Sequence, residues 1–423
     1  MLKHEDNERL VRVGPGTPAG ELFRRYWQPA LLASEVPERD GPPVRVRILG
    51  EDLIAFRDTD GKVGLVDAFC PHRRAPMFFG RNEACGLRCV YHGWKFDVTG
   101  QCTDLPTEPP DSRMKANVKI KSYPVVEKGA LIWAYMGPAG TMPAEPDYEW
   151  LRVPHESLHV SRTNEACNYL QALEGGLDTA HSSYLHNNKL GDNSYLRNRD
   201  GAPKLEIEKT DYGYYYVSHR NAGDEGEYVR VYHFIMPAQQ MRGNVTSRVG
   251  GRAAYPKIDG HVWVPMDDET TCVYNFFYGY DESVVFSDEV RKHFDDDYGR
   301  GPDDMIPGTF WLKKNLSNNY MIDRQVQKTQ TFTGIKGINT QDFALQEGMG
   351  PIVDRSKEML GSSDRAIVTM RRMLLDATKA VEQGERPIGV EPTTHNNIRP
   401  HDSIVPPGQT WQQAFAEDIK AKW

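Results

Sequence analysis

Residues 70–94 read CPHRRAPMFFGRNEACGLRCVYHGW, in which Cys70-x-His72 is followed, sixteen residues on, by Cys89-x-x-His92. Each half of the pattern mixes one thiolate donor with one imidazole. Two such halves describe a mixed-ligand iron–sulfur centre, with cysteines on one iron and histidines on the other. Zinc is the competing reading of two cysteines and two histidines. In zinc fingers, however, cysteine pairs with nearby cysteine and histidine with nearby histidine. Pro71, Gly86, Gly93 and Trp94 supply the turn and packing character of loops folded over a metal.

On the N-terminal side of this stretch the apolar residues alternate. Val44, Val46 and Ile48 share one face, followed by 53–56, an Asp60-Gly61 turn and 63–66, the pattern of a small antiparallel β domain. The β pattern resumes over 118–120 and 130–135, and glycine and proline then accumulate from Gly137 to Pro146, the expected domain boundary. Nearer the start, Thr17-Pro18 reads as a helix cap and first helical residue, ahead of Leu22, Phe23 and Tyr26. Gly14, Gly16 and Gly20 mimic a dinucleotide loop, but their spacing is wrong and no strand precedes them, so they read as a turn.

A second ligand pattern follows, Asp178-x-x-His181-x4-His186. Two histidines awaiting a carboxylate describe mononuclear ferrous iron with open positions. Residues 164–186 read as a helix with Leu170, Leu173 and Leu177 on one stripe. Five residues on a regular helix separate side chains by about 140°, so this helix is expected to bend or end between the two histidines. Asp178 is placed to accept the imidazole N–H opposite the metal and fix the tautomer of His181. Asp342, Asp354 and Asp364 are the candidates for the third ligand, and residue chemistry alone does not choose among them.

Residues 214–219, 229–235, 261–264 and 271–278 are rich in β-branched and aromatic side chains, which predicts a second antiparallel sheet. Ile367, Met370, Leu374, Ala377 and Val381 recur at helical spacing until Gly384. The fold expected is α+β: a small antiparallel β domain over 44–145 and a helix-on-antiparallel-sheet domain over 146–423. Residues 1–43 form an N-terminal segment packed on the latter.

The 423 residues exceed what one compact core holds, and the net charge of −8 comes without a basic block to meet a phosphate backbone. Nucleic acid is thereby excluded as a partner. The charged start MLKHEDNERL and the lack of any run near the roughly 18 apolar residues of a membrane span predict a cytoplasmic chain with no membrane partner. Cys85, Cys102, Cys167 and Cys272 read as free thiols, a regulatory disulfide at Cys85 being the alternative.

The segments Cys70-Pro-His72-Arg and Cys89-Val-Tyr-His92-Gly-Trp closely resemble the Rieske domain of the ring-hydroxylating oxygenases. Asn168-x-x-Gln171-x-x-Glu174-x3-Asp178-x-x-His181-x4-His186 resembles the catalytic helix of the same family. The likeness is to its phthalate-dioxygenase-like group and extends to 319–325 and 332–349. It implies that Cys70, His72, Cys89 and His92 hold a Rieske [2Fe–2S] cluster. It also implies that Asp342, in Gln341-Asp342-Phe-Ala-Leu-Gln-Glu347, joins His181 and His186 on Fe(II), and that Asp178, Asn168 and Gln171 serve catalysis. In that family the matching aspartate bridges cluster and iron across subunits, so a homotrimer or stacked trimers is expected.

Such an enzyme consumes O2 and two electrons. No Rossmann glycine fingerprint or ferredoxin-type cysteine set is present to collect them. A separate flavin/iron–sulfur reductase drawing on NAD(P)H is therefore expected. The resemblance implies an aromatic carboxylate substrate, a phthalate or substituted benzoate, which needs an arginine in its pocket; Arg242, Arg248 and Arg252 are the candidates. Dihydroxylation or hydroxylation is the leading reading, oxidative O-demethylation the second, and a Rieske electron carrier, for which the first 150 residues suffice, the third.

Overall fold

The computed structural model describes residues 2–423. Strands Val44–Ile48, Glu51–Arg57, Val63–Asp67 and Ser122–Tyr123 form one antiparallel sheet. Leu53, Ala55 and Leu65 face a core continuous with the rest of the molecule, whereas Ile54, Phe56 and Val66 pack with Cys70, Cys89 and Trp94 in a separate one. A strand buried on both faces loses its polar alternation, which is why 53–56 is an unbroken apolar run. A second sheet of four short strands, Arg81–Asn82, Leu87–Arg88, Lys95–Phe96 and Cys102–Asp104, completes this module.

The strand expected over 118–120 is a single bridge between Lys119 and Gln101, because the Ile120 N–H donates to Gly100 of a turn rather than to a strand. Strand Trp27–Leu32 pairs with Leu131–Tyr135, which pairs with Val125–Lys128, so a three-stranded ribbon joins the chain entering the module to the chain leaving it. Helices His4–Val11 and Pro18–Phe23 lie on the long helix Arg365–Glu382. Thr17 Oγ1 accepts the Gly20 N–H at 3.2 Å as the cap of the second of these.

The large sheet is antiparallel throughout. Its strand order is Leu158–Glu165, Thr271–Gly279, Arg252–Pro265, Gln239–Thr246, Glu227–Ile235, Gly213–Asn221 and Lys204–Lys209, with His401–Val405 added beside Glu227–Ile235. Helix Tyr169–Leu177 lies against it, capped by Asn168 Oδ1 accepting from Leu170 N at 3.1 Å. Gly175 and Gly176 bring this helix close to its neighbours: a Cβ on Gly175 would fall 2.0 Å from Gln346, and one on Gly176 2.3 Å from Trp263.

The helix is shorter than the expected 164–186. Asn164 and Glu165 end a strand, and the helix stops at Leu177, with Asp178 extended and its Oδ1 accepting the Ala180 N–H at 2.7 Å. A short acid bonding to its own turn competes with helical hydrogen bonding. The break therefore precedes both histidines instead of falling between them. No helix among the described residues is long and apolar enough to cross a membrane.

Candidate metal centres

Cys70 and Cys89 open two equivalent turns. The Cys70 N–H donates to Ala75 O at 2.8 Å while its carbonyl accepts from Arg74 N at 2.9 Å; Cys89 repeats this with Trp94 O at 2.8 Å and Gly93 N at 2.9 Å. The fourth residue after each cysteine is left-handed, Arg74 at φ 58° and Gly93 at φ 77°. Both cysteines are buried, and the His72 and His92 rings lie 4.6 Å apart, His72 stacked on Trp94 at 4.4 Å. His72 is exposed. Burial, opposed by the His72 backbone N–H and reinforced by Cys89, pushes the Cys70 thiol up to about 11, a proton that holding iron would displace. Paired thiols below and paired imidazoles above fit a two-iron cluster with unlike ends.

The second centre assembles from the residues after the helix break and from helix Ile338–Gly348. His181 Nε2 and His186 Nε2 face each other at 3.1 Å, and Asp342 Oδ1 lies 3.6 and 3.3 Å from them. One donor atom from each of the three lies within 4.8 Å of the others. Two imidazole nitrogens turned toward one another beside a carboxylate make a donor set suited to a cation, and its composition fits ferrous iron.

Asp178 Oδ2 is 3.6 Å from His181 Nδ1. Burial works against protonating His181, yet Asp178 and Asp342 hold its pKa above the ordinary value. Burial likewise works against ionising Asp342, and His186 with His181 holds it below the usual carboxylate range. Asp354 and Asp364 do not take part. They accept from Ser356 N and Gly361 N as local caps at 3.1 and 2.6 Å, the other reason for an acid at such positions.

Asn168 and Gln171, expected to serve catalysis, are placed away from the three ligands. Both are fully buried, and neither lines the cavity beside the three ligands. Asn168 Nδ2 donates to Val11 O and Asp268 O at 2.9 and 2.7 Å. Gln171 clamps the helix to the end of Ile338–Gly348 through Gln346 O and Gly350 O at 2.8 and 2.7 Å. Their pattern in the sequence is that of a helix tied down, with polar groups satisfied internally.

The cavity is walled by Tyr195, Tyr228, Tyr232, Trp263, Tyr298 and Phe343, and its lining residues all fall between 172 and 346. Arg242 and Arg248 line it. Arg252 does not; it is exposed and paired with Asp281 at 2.6 Å, at the first residue of its strand. Arg242 is bound to Asp259 at 2.6 Å. Two further cavity arginines escaped the sequence reading. Arg230 is buried and donates to Gly243 O, and Arg197 sits on the four-residue helix Leu196–Arg199. Burial and then Arg230 push the Arg197 guanidinium below its ordinary value. No disulfide joins any of the six cysteines among the described residues, Cys85 included.

Two family models cover nearly the whole chain, a Rieske [2Fe-2S] domain over residues 26–124 and a "LigXa C-terminal domain like" model over 134–422. The phthalate 4,5-dioxygenase oxygenase subunit of Pseudomonas putida is 40% identical over 100% of this chain and 96% of its own length. The 5,5'-dehydrodivanillate O-demethylase oxygenase subunit of a Sphingobium strain is 34% identical over 100% and 91%. Crystalline dicamba monooxygenase bound to 3,6-dichlorosalicylic acid matches the fold with a TM-score of 0.63, at 18% identity over 85% of this chain and 98% of that one. The chain belongs to the Rieske non-haem iron oxygenases. It is an oxygenase component that carries a Rieske cluster and a mononuclear iron, uses O2 and takes electrons from a separate reductase. The second domain and its ligand set rule out the simple electron-carrier reading.

Proposed function

We propose that this oxygenase acts on an aromatic carboxylate, a phthalate or substituted benzoate, adding one or two hydroxyl groups to the ring. The observation that carries the reading is the cluster of arginines in the cavity. Of Arg197, Arg230, Arg242 and Arg248, Arg242 has a carboxylate within ion-pair distance among the described residues, leaving the positive charge of the others available to an anion. A guanidinium matches a carboxylate in a two-pronged hydrogen bond, and aromatic walls match the ring. Phthalate, the substrate in the name of the 40% identical relative, has both features.

His181, His186 and Asp342 would hold the iron, and His72, Cys70, Cys89 and His92 the cluster. Bound there, ferrous iron supplies open positions for oxygen activation while the cluster supplies electrons. Asp178 would hold the His181 ring with its free nitrogen toward the iron. Tyr232, Trp263 and Phe343 would exclude water, and the arginines would orient the ring by its acid group. No residue of the cluster module lines the iron cavity, which supports electron transfer from the cluster of a neighbouring copy through Asp178, in a homotrimer or stacked trimers. The exposed His72 and the half-buried Asp178 suit such a contact. We assign residues 44–145 to the cluster module, 146–423 to the iron domain and 1–43 to a segment packed on the latter, apart from strand Trp27–Leu32, which pairs with Leu131–Tyr135 of the cluster module. The partner is a flavin/iron–sulfur reductase oxidising NAD(P)H in the cytoplasm.

The O-demethylase relative supports a second reading, removal of a methyl group from a methoxylated aromatic acid. Oxygen uptake with a panel of aromatic acids and a surrogate reductase tests the class. Labelled oxygen on the ring supports hydroxylation and formaldehyde release the alternative; uptake insensitive to every acid overturns both.

A further inference from the structure

His181 and His186 face the same point, yet they are held from behind by different chemistry. Behind His181 stands the carboxylate of Asp178. Behind His186 stands a neutral amide: its Nδ1 lies 2.8 Å from Gln341 Oε1. Gln341 is fully buried and adjoins Asp342 on helix Ile338–Gly348.

The orientation of that amide is settled by its other contacts. Gln341 Nε2 donates to Ile335 O at 2.8 Å and to Asn188 Oδ1 at 3.1 Å. Ile335 O is a backbone carbonyl and can only accept, so the NH2 end must face it, and Asn188 presents its oxygen to the same end. The oxygen end is left for the imidazole. An amide oxygen has no proton to give, so Nδ1 of His186 must carry the hydrogen, and the lone pair resides on Nε2, the atom that faces His181 and Asp342. A histidine that must ligate through one nitrogen needs its other N–H engaged, which fixes ring orientation and tautomer together.

We propose that Gln341 is the positioning residue that selects the metal-binding tautomer of His186, with Ile335 and Asn188 fixing the direction of its amide. The inference rests on His186 being an iron ligand. Asn188 is two residues beyond His186, so the same hydrogen bonds tie the histidine segment to the helix carrying Asp342 and set the spacing between two ligands that are distant in sequence.

The test is anaerobic titration of Fe(II) into the full-length, cluster-loaded protein, with the dissociation constant read by chelator competition. Gln341→Met keeps the length of the side chain and removes the acceptor; Fe(II) binding is expected to weaken by about 10- to 100-fold. Gln341→Glu keeps an oxygen acceptor for Nδ1 and is expected to retain most of the affinity. Wild-type affinity in the Met variant, or equal losses in both variants, overturns the proposal. His186→Ala separates the underlying assignment: unchanged iron affinity there means that His186 is no ligand at all.

Discussion

Gly176 lies flat against Trp263, so close that a Cβ would come within 2.3 Å of the indole. This contact and the Gln240 Nε2 hydrogen bond to Gly176 O at 2.7 Å seat the last turn of the helix that delivers Asp178 and His181. Gly176→Ala forces either the indole or the helix to move. Overpacking of this kind costs about 1–3 kcal/mol. A lowered unfolding midpoint and reduced mononuclear iron per chain are expected, with the cluster absorbance unchanged. Gly348, where an added Cβ would meet nothing within 4 Å, is the control at which alanine leaves both readouts near wild type.

The two cysteine turns make the same left-handed step with different residues. At Gly93, φ is 77° and a Cβ would lie 2.6 Å from Pro106, so alanine there adds a steric clash to a left-handed penalty of about 1–2 kcal/mol. Gly93→Ala is expected to accelerate cluster loss, followed as bleaching of the visible absorption. Arg74→Gly, at the matching position, relieves the penalty and is expected to keep the cluster for at least as long as wild type.

Asp342→Asn removes the anionic ligand while leaving the cluster turns untouched. Metal analysis is expected to find the two cluster irons, no mononuclear iron and no substrate-coupled oxygen uptake. Full iron content with full turnover would falsify the assignment.

Arg197→Gln and Arg230→Gln each withdraw a cation from the cavity. A hydrogen bond to a charged group contributes about 1.5–3 kcal/mol, so affinity for a carboxylated ring should fall by roughly ten- to a hundredfold, measured as binding under anaerobic conditions. The neutral methyl ester of the same acid should show little change. Arg252→Gln, outside the cavity, should affect neither.

The half-buried Glu174 and the buried Glu165 have opposite pH signatures. Burial opposes ionisation of Glu174, but Arg355 and Arg371 hold its pKa low. Its contribution is therefore complete above the unfolded value of about 4.3 and lost as pH falls through the folded value. Glu165 is raised, first by burial and then by Glu347; the folded chain keeps a proton that the unfolded chain releases. Stability from this group thus declines as pH rises above about 4.3. Thermal melts between about pH 5 and 8 are expected to show Glu165→Gln gaining on wild type as pH rises, whereas Glu174→Gln remains destabilised across that range.

The candidate cluster set was legible because mixed cysteine/histidine halves have few structural explanations, and once that context was given so were His181, His186 and Asp342, which the structure brings together. Of the cavity arginines, Arg242 and Arg248 were legible, but Arg197 and Arg230 were missed, as was the strand that carries Arg242. Strand Gln239–Thr246 reads QQMRGNVT, with too little apolar alternation to signal a strand, since Arg242, Asn244 and Thr246 turn their side chains toward the cavity. Arg197 lies on a helix too short to leave a periodic trace. The extent of the catalytic helix was overestimated because the leucine stripe runs to Leu177 without announcing that Asp178 would bond to its own turn. Asn168 and Gln171 show the converse: polar residues in a motif can be anchors whose satisfied hydrogen bonds hold the reacting groups in place.

Since the pocket walls are drawn solely from the stretch between 172 and 346, selectivity can diverge while the redox half stays intact. Chimaeras that exchange this stretch between homologues should inherit the donor's choice of molecule together with the recipient's electron supply.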